Sequence, residues 1–484
     1  MPLPPETAAA LDRLARFGTR LGLDRMRRLL AELGDPQAGL PAVLVAGTNG
    51  KGTVSALLAA FGAAGRYRTG LYTSPHLEDY EERLRLDGAA IAGERLGSLL
   101  DRVLAAGEAA LDEPPTVFEA LTAAAFLWFA EEEVELAVLE VGLGGRFDAT
   151  NTVEPRLSVV TAIDLDHREH LGDTPAEVAR EKAGVLRAGV PAVTAAGREE
   201  VEEALAAEAE AAGARRVRVA DRVTVEAVQR FRPFSEPADL RQRVWLRWRA
   251  DRASAAAEDG EALQEVEGGG EPEAEGGVEV LELALAGRHQ ADNLAVARVA
   301  AEELRELGWE RLTERAVKKG ARACRWPGRL EEVALRQSGQ GGSGSSGGRV
   351  LLDAAHNPGG AAALAAALDD LGEPVDLLFG ALEDKDAAGM LAHLAPRARA
   401  ITLTRPSVPR GREAASLAPL LPKGLRRPVR VEEEPARALR EALSGAEGRI
   451  VVACGSIVLV GELRAALRRR YGVPPPAATI DLSG

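Results

Sequence analysis

Residues 44–60 read Leu-Val-Ala-Gly-Thr-Asn-Gly-Lys-Gly-Thr-Val-Ser-Ala-Leu-Leu-Ala-Ala, and the fold is decided here. Pro41 to Ala46 is an apolar run of strand length, and an Ala/Leu-rich helix former begins at Val54. Gly47, Gly50 and Gly52 lie between them, with Thr48, Asn49, Lys51 and Thr53. A glycine-rich turn from a buried strand into a helix start converges backbone N–H groups on one point. The helix dipole adds partial positive charge there, and a lysine adds a full one, so the turn suits phosphate. Gly52 stands where Ser or Thr usually follows the lysine, so the hydroxyl for a metal is Thr53 or comes from elsewhere. An ordinary Gly-rich turn is the plainer reading, but it gives a lysine amid three glycines no packing purpose. Nucleoside triphosphate binding is expected.

Working outward, apolar strands alternate with helices. Residues 8–33 are amphipathic with breaks at Gly18 and Gly22, and Arg68 to Thr73 is a strand ending at Ser74-Pro75-His76. Thr116 with Glu119 three residues on is a capping-box start for a helix to Ala130. Leu136 to Val141 and Leu157 to Ile163 are strands, and Thr174 to Leu186 is helical. This rhythm predicts a mostly parallel sheet with both faces covered. Val223 to Trp248 alternates as a β-ribbon would, and 289–307 and 312–324 return as helices. From Arg349 a second βαβ series runs through 350–353, 375–380, 400–404, 429–431 and 450–453. The expectation is α/β: a P-loop-type domain over 1–322 with a small ribbon, then a smaller Rossmann-like domain over 323–484.

Two stretches interrupt the pattern. Glu258 to Glu282 holds ten acidic residues and no basic one, so a flexible acidic insertion is expected around 255–280. Ser338 to Gly348 is Gly/Ser-rich between two apolar strands and reads as a hairpin tip.

At 484 residues with 46% hydrophobic and 28% charged content, the chain is of soluble globular type with room for two or three domains. A net charge of −14 argues against nucleic acid and acidic membranes, though not against small anions held in a cleft. Two cysteines, Cys324 and Cys454, form no disulfide framework. The opening Met-Pro-Leu-Pro-Pro-Glu lacks a signal pattern, and no uncharged apolar stretch reaches spanning length. Cytoplasmic residence is expected. Only six of the 60 cationic residues are lysine (Lys51, Lys182, Lys318, Lys319, Lys385, Lys423), so a lysine inside an ordered motif invites a chemical reason.

Ligands of open α/β sheets bind beyond the carboxyl ends of the strands. Ser74, Glu140 and His167 fall at such ends, His167 flanked by Asp164, Asp166 and His170. An acid among Leu, Ala and Val, as Glu140 is, costs free energy unless paired or bound to metal. The His167 cluster reads equally as a solvated cap, and Lys182 by default is a surface lysine.

The run 140–151, Glu-Val-Gly-Leu-Gly-Gly-Arg-Phe-Asp-Ala-Thr-Asn, joins Gly-Thr-Asn-Gly-Lys-Gly-Thr, Ser-Pro-His-Leu, the Asp-His at 166–167 and Arg-Glu-Lys-Ala-Gly. Arg-Trp-Pro-Gly-Arg-Leu-Glu (325–331), Leu-Asp-Ala-Ala-His-Asn-Pro (352–358) and Glu-Asp-Lys-Asp (383–386) continue the series. Together they resemble the folylpolyglutamate synthase and dihydrofolate synthase family of the Mur ligase superfamily. Phe147 and Ala354 depart from the family pattern, where Leu and Val are usual.

The resemblance implies an ATP-dependent ligase adding L-glutamate to a dihydropteroate or reduced-folate carboxylate through an acyl phosphate. It places ATP on Gly50, Lys51, Gly52 and Thr53, one Mg²⁺ on Ser74 and Glu140, and a second on His167. It makes Lys182 a carbamylated lysine, and sets Asn293, Arg329 and Asp353 at the nucleotide. His356 and Ser456 would meet glutamate, and Phe118 and Glu119 would border the pterin. A monomer is implied. The rival readings are a muropeptide-type Mur ligase and a P-loop switch, which would ignore free glutamate.

Overall fold

The computed structural model describes residues 3–14, 18, 20, 22–195, 197–232, 240–249, 277–335, 348–473 and 480. The expected acidic insertion lies largely outside the described residues, as does the Gly/Ser tip.

Strand β1 (Ala42–Ala46) shows why the first sheet forms. All five residues are buried, yet alternate ones serve opposite faces: Ala42, Leu44 and Ala46 enter one core, Val43 and Val45 the other. A strand apolar on both faces belongs in the middle of a covered sheet. The partners are β2 (Thr69–Tyr72), β3 (Leu84–Leu86), β4 (Ala89–Ala90), β5 (Leu136–Glu140), β6 (Pro155–Val160), β7 (Pro191–Thr194) and β8 (Arg215–Arg218), in the order β4-β3-β2-β5-β1-β6-β7-β8. Pairing is parallel from β2 to β8, while β3 and β4 turn back antiparallel at one edge. The expected helices flank it. The Val117–Glu131 and Pro175–Lys182 helices both carry complete capping boxes, from Thr116 and Thr174. Pro5–Leu14 and Asp24–Glu32 are separate helices on either side of the predicted glycine breaks.

The ribbon is three-stranded: β9 (Val223–Phe231), β10 (Arg241–Trp248) and β11 (Val278–Leu283), all antiparallel. This corrects the reading of 258–282 as loop throughout. Its end, Val-Glu-Val-Leu-Glu-Leu, is strand, with Leu281 and Leu283 fully buried. Acidic composition concealed an apolar repeat.

Between Ala323 and Glu331 the chain passes to a second sheet of β12 (Glu331–Ala334), β13 (Arg349–Leu352), β14 (Val375–Phe379), β15 (Ala398–Leu403), β16 (Val429–Val431) and β17 (Ile450–Cys454). Its order is β12-β13-β17-β14-β15-β16, with β12 antiparallel and the rest parallel. Helices pack on both faces around two cores. The isolated residue Ile480 bridges back to Cys324 and is buried against the first domain. Among the described residues, no helix is long and apolar enough to cross a membrane.

Candidate active site

A cavity of about 300 Å³ opens between the two sheets and is lined from both. Its floor is the glycine loop. Gly50 caps the Lys51–Ala64 helix with φ 89°, and a Cβ there would stand 2.2 Å from Asn293 Oδ1. Conformation and close approach both demand glycine at that point. Lys51 folds over the loop, its Nζ donating to the carbonyls of Gly47 at 3.0 Å and Thr48 at 3.2 Å. Thr48 Oγ1 ties the loop to Asp164, donating to its carbonyl and accepting from its amide. Asn49 Oδ1 accepts from Asn357 Nδ2 at 3.0 Å, a contact between domains. Gly52 and Thr53 complete the cradle.

Glu140 ends β5, 5% exposed and facing the cavity. Burial pushes its carboxyl pKa up, opposed by the charge of Lys51, the Ser74 amide and the Arg329 guanidinium. Its Oε2 accepts the Ser74 N–H at 3.0 Å. No other hydrogen bond reaches the carboxylate among the described residues. His167, partly exposed, takes a left-handed turn at φ 50°, and burial pushes its imidazole down to about 4. Lys182 is 4% exposed and lines the same cavity. Burial drives its ammonium well below the ordinary lysine value, Lys51 adds to the effect, and Asp166 and Asp148 oppose it. The default reading of Lys182 as a surface lysine is therefore excluded.

The second domain supplies the opposite wall. Arg329 sits in a turn held by Asp353, whose Oδ2 accepts the Leu330 amide at 3.0 Å and whose Oδ1 accepts the Ala355 amide at 2.9 Å. Burial lowers the Arg329 pKa, with Asp353 and Glu140 opposing. His356 Nδ1 donates to the Ala354 carbonyl at 2.9 Å, which turns Nε2 toward Asp166 at 3.6 Å. Asn293 lines the cavity and donates to Gln290 Oε1 at 3.0 Å.

Some expected site residues stand outside this lining. Gly47 contributes a carbonyl, and a Cβ on it would strike Thr161 Oγ1 at 1.8 Å. Phe118 packs beside Tyr72, ring centroids 6.1 Å apart, and against Gly142. Glu119 is buried and occupied: it accepts the Thr116 amide at 2.8 Å and pairs with Arg25 at 3.3 Å. Ser456 caps the Ile457–Tyr471 helix.

Asp166 and His76 belong to the cavity although the sequence assigned them no role of their own. Asp166 receives Lys385 Nζ at 2.7 Å from the other domain. Burial works against its charge, but His356, Lys385 and His167 hold the carboxyl well below the usual range. His76 accepts from Arg83 Nε at 3.0 Å, and burial pushes it down to about 3. The scarcity of lysine was the available signal for Lys385, and the Ser-Pro-His motif the signal for His76. Among the described residues, no group of three or more His, Cys, Asp or Glu side chains is arranged to enclose a metal.

A glycine loop between a buried strand and a helix start, facing a second α/β domain across a shared cleft, is the arrangement of a two-domain ATP-dependent ligase of the Mur type. Residues 340–457 match the family described as "Mur ligase, glutamate ligase domain". The chain is 34% identical over 409 residues to the dihydrofolate synthase/folylpolyglutamate synthase of Bacillus subtilis, covering 83% of this chain and 85% of that one. It is 33% identical over 477 residues to a probable bifunctional folylpolyglutamate synthase/dihydropteroate synthase of Haloferax volcanii; that match covers 97% of this chain but about half, 51%, of the relative. The structure of Escherichia coli FolC in complex with DHPP and ADP superposes with a TM-score of 0.74 at 30% identity, covering 96% of this chain and 98% of that one. The chain belongs to the folylpolyglutamate synthase/dihydrofolate synthase family of the Mur ligase superfamily.

Proposed function

We propose that the protein joins the α-amine of L-glutamate to a carboxylate of dihydropteroate or a reduced folate, at the expense of ATP and through an acyl phosphate. The observation that carries this reading is a single cavity in which Lys51, Glu140 and Lys182 of one domain face Arg329 and His356 of the other. Phosphoryl transfer asks for positioning and charge neutralisation rather than a protein nucleophile. Gly50, Lys51, Gly52 and Thr53 hold the triphosphate, with the Lys51 ammonium leaving the loop carbonyls for phosphate oxygens. Asn293 orients the nucleotide. Arg329 adds positive charge where negative charge develops on the transferring phosphoryl group and the departing ADP, and Asp353 holds the turn that aims it. His356 binds and orients the incoming amino acid. The pterin lies toward Phe118.

The residues present fit Mg²⁺. Glu140 is a buried carboxylate with Oε2 on a backbone amide, and among the described residues no lysine or arginine forms an ion pair with its other oxygen. Ser74 and His167 complete a sparse protein set of the kind that leaves positions for phosphate and water. Ser74 and Glu140 would hold one ion and His167 a second; bound there, the metal neutralises charge on the transferring phosphate. Lys182 suits carbamylation, because a buried lysine kept neutral is the form that adds CO₂, and the resulting anion complements Lys51 and the metal charge. The protein works in the cytoplasm, a reading supported by two buried free cysteines, and as a monomer, as the family resemblance implies.

The test is ADP release with dihydropteroate or tetrahydrofolate, each with and without L-glutamate. Glutamate-dependent release with one or both is expected. Turnover indifferent to glutamate refutes the ligase reading.

A further inference from the structure

Outside the cavity, the loop after β2 meets the last helix of the second domain in a buried charged cluster. The side chains of Glu78 and Arg464 are 2% and 3% exposed, with Arg464 Nη1 2.6 Å from Glu78 Oε1. Arg464 also reaches Glu331, Nε at 3.0 Å and Nη2 at 2.9 Å from Oε1. Arg468 stands 3.1 Å from the other Glu78 oxygen.

Each carboxylate is attached to a wall of the cavity. Glu78 directly follows the 73–77 segment, which lines the cavity with Ser74 and His76. Glu82 stiffens that segment by accepting the amides of Leu77 at 2.9 Å and Glu78 at 2.8 Å. Glu331 Oε2 accepts the Gly328 amide at 2.8 Å, one residue before Arg329. The helix itself lies against the loop backbone: a Cβ on Gly461 would stand 1.8 Å from the Leu77 carbonyl oxygen.

A guanidinium presents donors in a fixed planar fork, so one arginine can serve two carboxylates at a set spacing. Buried carboxylates are tolerated only while paired. Separation of the domains would take Glu78 from both Arg464 and Arg468, while Arg464 keeps Glu331 within its own domain, so the cluster is complete only with the cleft closed. We infer that Arg464 is a positioning residue for the ligase reaction. It locks the Ser74–Leu77 loop and the Arg329 turn to one helix, so that the two walls of the cavity assemble together. This inference rests on the ligase reading above for its kinetic consequence, but not for its structural one.

The test uses the full chain with Glu78→Gln and Arg464→Lys. Glutamine keeps the shape and loses the charge; lysine keeps a charge and loses the fork. Each is expected to lower kcat about ten- to hundredfold while KM for ATP moves by less than about twofold, the pattern of a mis-set site with intact ground-state nucleotide binding. Should Arg464→Lys fail to fold, Glu78→Gln still decides, because it leaves the Arg464–Glu331 pair in place. A second readout needs no folate substrate: spin labels on the exposed positions Glu108 and Arg440, with a non-hydrolysable ATP analogue bound. Glu78→Gln is expected to broaden the interdomain distance and lengthen it relative to the same labels on the wild-type background. If wild type shows no glutamate-dependent ADP release, the ligase reading fails and the distance measurement alone decides the clamp. A distance distribution unchanged by Glu78→Gln, or a folded Glu78→Gln enzyme with kcat within about twofold of wild type, overturns it.

Discussion

Lys385 Nζ lies 2.7 Å from Asp166 Oδ1, an ion pair that joins the loop after β6 in the first domain to the segment after β14 in the second. The side chains are 10% and 12% exposed. Asp166 faces His356 Nε2 on the same side and is followed directly by His167. One carboxylate thus sets the spacing between a group expected at the metal and a group expected at glutamate, and a cation from the other domain holds it there.

Removing that cation should therefore disturb both stability and chemistry. Lys385→Met leaves a buried carboxylate without the cation nearest to it, which costs about 3 kcal/mol for a pair this enclosed, read as a lower urea midpoint. kcat is expected to fall about tenfold or more, an increment of about 1.4 kcal/mol in the barrier. Asp166→Asn in the same chain should return much of the stability but not the turnover. A Lys385→Met enzyme with wild-type midpoint and rate would show that the pair is incidental.

Lys51→Ala should leave the fold intact. The Nζ bonds it loses go to carbonyls of its own loop, and Lys51 is only half-buried. The expected loss is in turnover: roughly a hundred- to thousandfold or more, as when a preorganised donor to transition-state charge is removed. Stopped-time ADP assays beside a thermal melt separate the two. Activity within about tenfold of wild type would take the loop out of the mechanism.

How much of this was legible in the chain divides along sequence distance. The strand–loop–helix at 41–64 and the capping boxes at Thr116 and Thr174 are local patterns, and they stand as read. Glu119 shows the limit: its carboxylate is taken by its own helix start and by Arg25, a partner 94 positions away that no periodicity announces. Asp166 and Lys385 are 219 positions apart. The signs that Lys385 was special were its place in the Glu-Asp-Lys-Asp run and the scarcity of lysine in the chain. For β11 composition misled instead, because Glu279 and Glu282 of a half-buried strand read as the end of an acidic loop.

The cysteines give a prediction independent of activity. Cys324 and Cys454 are buried, and burial pushes the Cys324 thiol up to about 12 and that of Cys454 well above its ordinary value. The thiolate is the reactive form. A thiol reagent at pH 8 should therefore find neither in the folded protein and both in guanidinium. Rapid labelling of the native protein would contradict the packing of Cys324 under Ile480.

Lys182 allows the sign of a pH effect to be worked out. Its folded pKa lies well below the ordinary value, so between that lowered value and the ordinary value of about 10.4 the unfolded chain binds the extra proton. Unmodified Lys182 thus destabilises the fold at neutral pH, and the penalty shrinks as pH rises toward the unfolded value. In CO₂-free buffer, Lys182→Met should melt higher than wild type near pH 7, with the gap closing toward pH 10. Bicarbonate should raise the wild-type melt and leave Lys182→Met unmoved, because carbamylation replaces a disfavoured cation by an anion facing Lys51. The same substitution should abolish most turnover, and Lys182→Arg, which keeps charge but cannot form a carbamate, should be nearly as poor. Lys182→Ala should recover part of its activity with a short-chain carboxylate filling the vacated space. A Lys182→Arg enzyme with normal turnover would sink the carbamate, and a wild-type melt indifferent to bicarbonate would deny that it forms in the free protein.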